Sequence, residues 1–320
     1  MSTPVPKKKP GRPRKVIPRK DTPKEGIVKE PSNATADDPQ EVHVLEFVYD
    51  NPHMIKKMFN MFKSMAVQDI RLRFEPEIIK IKTTDRVKKS TIYSEIYSDK
   101  LNRYYCEKTF EIGLIPNDIQ KITSTINADI NKITIISTRR FEKSKLRIVL
   151  TCNELDVYKD YTIDINSVDD YDWGITKEIE LEKDYPIKFE LTTKFFKKAI
   201  ADAKLLADVI RIEKNGDGPL DMSYAFTNKR GDQHSFFKNN KKINLRSTIT
   251  SDDLFSCSVY LDHIKPISTS LITDSINISA SKTHKLIFTA LLDQEETGKE
   301  KIENSEVCRI YILTDIINLQ

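Results

Sequence analysis

The sequence is poor in the residues that build catalytic and metal sites. Its four cysteines (Cys106, Cys152, Cys257, Cys308) are widely separated and form no C-x-x-C pair. That argues against a disulfide framework or a zinc site and for small, buried or half-buried thiols. The five histidines (His43, His53, His234, His263, His284) show no metal-ligand spacing. Glycine is scarce, with eight residues, and neither G-x-x-x-x-G-K-[ST] nor G-x-G-x-x-G occurs. G-x-S-x-G and H-E-x-x-H are missing as well. Asp169, Asp170 and Asp172 fall in a connecting stretch and not at paired strand ends, so two-metal catalysis has no support. No apolar run approaches the roughly 18–20 residues that span a bilayer. The basic, Pro-rich start lacks the apolar core of a secretory signal. The expectation is a soluble, intracellular protein that is not an enzyme, uses no cofactor or metal and binds no membrane.

What is present is unevenly distributed. Residues 1–30 carry ten Lys/Arg against three Asp/Glu, while the rest of the chain has 42 basic and 45 acidic residues, a net −3. A mildly acidic body can meet a polyanion only through a segregated basic face. Eight of the fourteen prolines lie in the first forty residues, so residues 1–43 read as a disordered basic tail. Within it, Pro10-Gly11-Arg12-Pro13-Arg14-Lys15 resembles an AT-hook, which lays Arg side chains into narrow minor grooves. Arg12, Arg14 and Lys15 are its candidate DNA contacts, and Pro10 stands where a fuller hook has Arg. Generic DNA tethering and a localisation signal are the rival readings of the same run.

Past Val42 the chain reads as many short β segments. They start at His43–Tyr49, where Leu45, Phe47 and Tyr49 alternate with more polar positions. Further segments are Ile78–Thr83, Thr91–Ile96, Tyr104–Ile112, Lys132–Ser137, Lys145–Cys152 and Asp160–Ile165. Ile187–Leu191, Val209–Glu213, Asp221–Phe226, Lys242–Thr248, Leu254–Tyr260, Ser275–Ser279, Lys285–Ala290 and Cys308–Leu313 follow. Lys214-Asn215-Gly216-Asp217-Gly218-Pro219 has the composition of a turn.

The few helical segments carry the best signal. In Pro52–Met65, apolar residues stand at Met54, Ile55, Met58, Phe59, Phe62 and Met65. In Thr193–Leu206 they stand at Phe195, Phe196, Ala199, Ile200, Ala203 and Leu206, the same spacing displaced by 141 residues. Lys56, Lys57 and Lys63 match Lys197, Lys198 and Lys204 under the same shift, on the face opposite the apolar arc. Ile119, Ile122 and Ile126 likewise match Ile264, Ile267 and Leu271. The chain therefore reads as two copies of one unit, 44–165 and 185–320, each with two short helices and roughly six or more strands. Between them, 166–184 is an acidic connector with the only tryptophan, Trp173, a residue a disordered linker would exclude.

Charged helix faces usually only solvate a surface. Here the lysines repeat between halves, Met54–Met65 holds no carboxylate, and Asp202 is the one carboxylate in the body of its counterpart. An unbalanced lysine face suits sequence-independent phosphate contact, because counterion release depends on charge and not on base identity.

The segment Ile55-Lys56-Lys57-Met58-Phe59-Asn60-Met61-Phe62-Lys63 resembles the first helix of PCNA-type DNA clamps. The resemblance continues through Thr83–Val87, Lys159–Ile165, Trp173-Gly174-Ile175, Leu206-Ala207-Asp208 and Tyr311-Ile312-Leu313, covering residues 44–315. No single motif is specific; their order and spacing carry the likeness. With the basic tail and Tyr49-Asp50-Asn51-Pro52, it resembles the PCNA-like proteins of large nucleocytoplasmic DNA viruses, especially the African swine fever virus group.

The resemblance implies an α+β DNA-clamp (processivity) fold, mostly β, with two similar domains. Each has two short helices packed on antiparallel sheets. It implies a homotrimeric ring around double-stranded DNA that holds a DNA polymerase and other replication and repair proteins through short peptide motifs. The rival is a clamp-fold scaffold or viral transcription factor that forms no ring and binds DNA by its tail. A host nucleus or a cytoplasmic viral replication site would be the location. The family's channel lysines correspond to Lys56, Lys57, Lys63, Lys121, Lys198 and Lys265, and the internal repeat adds Lys197 and Lys204. Other basic channel positions fall on Ser124, Ala201 and Leu205, a departure from the pattern. The partner pocket corresponds to Val87, Trp173, Ile175, Tyr311, Ile312 and Leu313. Ring closure would pair Lys159–Ile165 of one subunit with Lys242–Thr248 of the next.

Overall fold

A computed structural model of the chain describes residues 42–139, 144–152, 157–166, 173, 176–216, 218–225, 233–238, 244–250, 253–293 and 306–317. The basic tail, with Arg12, Arg14 and Lys15, lies outside them. The first half runs β1 (His43–Tyr49), α1 (Pro52–Ser64), β2 (Ile70–Phe74), β3 (Ile78–Thr84), β4 (Ser90–Tyr97), β5 (Arg103–Cys106) and β6 (Phe110–Leu114). It ends with α2 (Pro116–Ser124), β7 (Lys132–Thr138), β8 (Lys145–Cys152) and β9 (Val157–Asp164). A short helix, α3 (Thr176–Leu181), precedes the second half, which opens with β10 (Ile187–Thr192), α4 (Thr193–Lys204) and β11 (Val209–Asn215). Then come β12 (Leu220–Ala225), β13 (Gln233–Lys238), β14 (Leu245–Ser247), β15 (Leu254–Tyr260), α5 (Leu261–Ser270), β16 (Ser275–Ala280), β17 (Leu286–Asp293) and β18 (Glu306–Thr314).

The halves repeat in topology as well as in pattern. One sheet has the order β5-β1-β7-β8-β9, and its counterpart β14-β10-β16-β17-β18 forms five strands of a nine-stranded sheet. The remaining four strands of that sheet, β4-β3-β2-β6, correspond to the separate sheet β13-β12-β11-β15. Every pairing inside these sheets is antiparallel. The halves join where β18 pairs antiparallel with β4, from Cys308 opposite Ile96 to Thr314 opposite Ser90. Seven of the nine β18 residues are buried, because apolar layers cover both of its faces.

Helix boundaries follow from local chemistry. Pro52 occupies the first turn of α1, where its missing N–H costs nothing, and the Asn51 side chain accepts a hydrogen bond from the Met54 N–H at 3.3 Å. Thr192 does the same for Phe195 N–H at the start of α4 (3.4 Å). All six apolar residues read from the α1 pattern are buried. In α4, Phe196, Ala199, Ile200 and Ala203 are buried, but Phe195 and Leu206 are partly exposed.

Three features differ from the sequence expectation. Tyr104–Ile112 is two strands, β5 and β6, which lie in different sheets. The strands β2 and β13 were not anticipated: β2 alternates Ile70, Leu72 and Phe74 with arginines, and β13 is largely polar. The connector contains helix α3, pinned at its end where the Ser279 hydroxyl donates to Glu182 Oε1 at 2.6 Å. Of the turn read at Lys214–Pro219, Lys214 and Asn215 close β11 and the turn begins at Gly216. Gly216 takes a positive φ of 45°, and the buried Lys214 ammonium donates to the carbonyls of Gly216 and Gly218. Cys152, Cys257 and Cys308 are buried thiols and Cys106 is half-buried. Burial pushes the Cys257 thiol up to about 12.

Candidate nucleic-acid interface

The four repeat helices form one row. α1 packs against α2 and against α5, and α5 packs against α4. Their apolar faces turn to the sheets, so their lysines gather on the opposite side.

The matched lysines divide into two kinds. Lys57 and Lys198 are exposed. Their neighbours Lys56 and Lys197 are half-buried and tie helices together. Lys56 Nζ donates to the Ile126 carbonyl at 2.5 Å, just past α2, and Lys197 Nζ donates to the Leu271 carbonyl at 2.7 Å, just past α5. Carbonyls at a helix C-terminus have no partner within the helix, and a cation there also complements the helix dipole. Each Lys-Lys pair thus supplies one structural tie and one outward charge.

The remaining lysines differ between the halves. Lys63 on α1 and Lys265 on α5 are exposed. Lys121 is 77% exposed and contacts Asp118 Oδ1 at 2.9 Å on its own helix. Lys204 is the most engaged: it meets Asp262 Oδ1 at 2.9 Å and Asp208 Oδ1 at 3.6 Å. The hydrogen bond it donates to Asp262 holds its pKa above the ordinary lysine value. Lys194, exposed on α4, joins the outward set. It was missed because the repeat places His53 at the matching position of α1. At the positions where basic residues were expected, Ser124, Ala201 and Leu205 are all exposed, Leu205 at 83%.

The predicted partner pocket is assembled in part. Trp173 and Ile179 pack over a small cluster of Tyr93, Tyr185, Ile287, Tyr311 and Leu313, distinct from the main core. Strand alternation sends Tyr311 and Leu313 to this face and Ile312 to the other, where it is fully buried in the main core. Ile312 therefore cannot touch a partner, which corrects its placement in the pocket. Val87 is 66% exposed on the turn between β3 and β4, and Ile175 lies outside the described residues. Tyr93 donates to Glu95 Oε1 at 3.0 Å, and its ring lies 6.3 Å from that of Tyr311. Burial raises the pKa of both phenols, so both stay protonated at neutral pH. Tyr93, Tyr185, Ile179 and Ile287 were not foreseen; only assembly of β4, β17 and the connector brings them together.

Comparison with known proteins agrees with this architecture. A family model described as "Proliferating cell nuclear antigen, N-terminal domain" matches residues 44–172. An uncharacterized protein of African swine fever virus, from a Malawi tick isolate, is 31% identical over 292 residues, spanning 89% of this chain and 93% of the relative. Its counterpart in a Kenyan pig isolate gives the same figures. Among solved structures, the proliferating cellular nuclear antigen of Entamoeba histolytica superposes with a TM-score of 0.65 at 13% identity. The match covers 86% of this chain and all of that one, and at this identity it speaks to the fold.

Proposed function

The chain belongs to the PCNA-type clamp family, and from that premise we propose that it is a sliding clamp: a non-catalytic ring around double-stranded DNA that tethers a polymerase and other replication or repair proteins. The observation that carries this reading is the pair of strand edges left over by the internal repeat. β18 and β4 join the halves within the chain, and their counterparts by topology are β9 and β13. Among the described residues each of these is an edge strand, with one side paired to β8 or β12 and the other side without a partner strand. An open edge invites a second chain, and head-to-tail pairing of unlike edges generates a ring when the rotation closes. Repeating the β18–β4 junction between copies as β9–β13 closes such a ring, three chains giving six similar units. This replaces the pairing expected with Lys242–Thr248. In the repeat, β14 is the counterpart of β5 and lies beside β10, whereas β13 is the counterpart of β4.

In that ring the helix row faces the DNA, with Lys57, Lys63, Lys194, Lys198 and Lys265 as its outward cations. The contacts are to phosphate, so affinity per contact stays low and the ring slides, while encirclement prevents escape. The halves act as two clamp domains, 44–165 and 185–320, with 166–184 as the connector beside which partner peptides dock. The basic tail adds a second DNA contact, and the site of action is a host nucleus or a cytoplasmic viral replication site. The engaged Lys204 and the exposed Leu205 favour a second reading, a clamp-fold scaffold held on DNA by its tail alone. Light scattering at micromolar concentration, with and without residues 1–42, separates the two. A species near three times the mass of the chain in each case (37.0 kDa for the full chain) is the expected result. A monomer in both would sink the ring and leave the scaffold.

A further inference from the structure

A cavity of about 510 Å³ lies beside the Trp173–Tyr311 cluster but shares no residue with it. Its walls include Lys89 from the turn before β4, Lys285 and His284 from the approach to β17, Tyr260 and His263 from the start of α5, and Asp315 after β18. A volume of this size admits several peptide side chains. A backbone tie joins two of the walls, the Asp315 N–H donating to the Lys89 carbonyl at 3.2 Å, and the Tyr185 hydroxyl of the neighbouring cluster donates to the Lys285 carbonyl at 3.0 Å.

Among the described lining residues, two ammonium groups face one carboxylate, so the cavity carries an excess of positive charge. Asp315 forms an ion pair with each of them, at 3.6 Å from Lys89 Nζ and 3.7 Å from Lys285 Nζ, both longer than a hydrogen bond. The His284 ring stacks on Tyr185 with centroids 6.0 Å apart, and His263 meets Tyr260 edge-on at 5.4 Å. His263 Nδ1 is buried with no hydrogen-bond partner. A buried polar atom of this kind is one that a hydrogen-bonding group entering the cavity would satisfy. The apolar cluster next door supplies hydrophobic contact and this cavity supplies positive charge.

We propose that the cavity receives an acidic side chain, Asp or Glu, of a peptide segment whose apolar anchors dock on the neighbouring Trp173–Tyr311 cluster, so that it selects partners by charge. This rests on the peptide-docking reading of the clamp. A charge-assisted pair with a lysine, partly shielded from solvent, is worth more than a surface pair and discriminates against neutral or basic competitors.

The test is fluorescence anisotropy on the full chain. The probes are fluorescein-labelled twelve-residue peptides with two adjacent phenylalanines, in which Asp, Ala, Lys or phosphoserine is walked through the flanking positions. At one flank, Asp is expected to bind at least about fivefold tighter than Ala. The Lys89→Glu/Lys285→Glu double variant should abolish that preference and favour Lys instead. Equal affinity for Asp, Ala and Lys at every position overturns the cavity proposal and leaves docking intact. A preference for phosphoserine without one for Asp overturns the choice of a carboxylate. If no peptide binds, the docking reading itself fails, and the histidine ring signals of the full chain then decide the cavity by NMR. Shifts at His263 and His284 with acetyl-Asp-Glu-Asp-amide, and none with acetyl-Asn-Gln-Asn-amide, support it; unmoved rings overturn it.

Discussion

Helices α1 and α4 share one apolar spacing and one set of lysine positions, yet the molecule uses them differently. α1 lies between α2 and α5, and its whole apolar arc is covered. At the two ends of α4, Phe195 is 37% exposed and Leu206 is 43% exposed. The charges differ as well. Lys63 near the end of α1 is exposed, whereas its match Lys204 is bound to Asp262 and Asp208. What stays equal is the tie from Lys56 or Lys197 to a carbonyl past the neighbouring helix. A repeated pattern fixes which face of a helix packs; the number of neighbours fixes how completely that face is covered and which charges remain outside.

The sharpest way to break this comparison is truncation of one aromatic on each helix. Phe62→Ala leaves a cavity in a fully buried site and should cost about 3–5 kcal/mol. Phe195→Ala, at the exposed end of α4, should cost less than about 1.5 kcal/mol. Urea denaturation of both variants measures the gap, and equal losses would mean that α4 is covered after all, for instance by another copy of the chain. Next come the ties. Lys56→Met and Lys197→Met each strand a carbonyl, and each should destabilise by about 1–3 kcal/mol by the same denaturation midpoint measurement. The two costs should agree, because the geometry repeats; one large and one negligible would break the symmetry between the halves.

DNA binding sharpens the comparison from the other side. Lys57→Ala/Lys63→Ala should lower the slope of log affinity against log salt by about 0.9 per lost phosphate contact. Lys204→Ala should leave that slope unchanged, since its ammonium is already engaged by two carboxylates. Fluorescence titrations of duplex DNA at several salt concentrations test both. The smallest effect belongs to the stability contribution of Lys204. Its folded pKa is raised, so the stabilisation is complete below the unfolded lysine value and is lost as pH rises through the folded one. At neutral pH, Lys204→Met should cost under about 1 kcal/mol, and melting scans should show the difference from the parent narrowing only in strongly alkaline buffer.

Legibility in the sequence followed the strength of each local signal. The α1 and α4 boundaries were readable from a capping side chain and a sustained 3.6-residue period. Strands with buried β-branched faces, such as β7 and β16, were readable as well. β13, with Gln233, His234 and Lys238 among its six residues, was not, although its edge completes the repeat. The Trp173 cluster was half legible. Trp173, Tyr311 and Leu313 share it, while Ile312, between the latter two, faces the main core because side chains alternate along β18. Lys56 and Lys197 could not be told from Lys57 and Lys198, since adjacent residues on a lysine face differ only in what neighbouring helices offer them.

The sequence by itself determined the repeat, the two amphipathic helices of each half and the lysines opposite their apolar faces, because these depend on spacing along one chain. Only the tertiary structure decided that β18 joins β4 while β9 and β13 stand at sheet edges among the described residues. The same holds for Lys204 meeting Asp262 and for Lys89 and Lys285 meeting Asp315. Such contacts bring together groups far apart in the chain, and their energies depend on distance and burial, which no local period encodes.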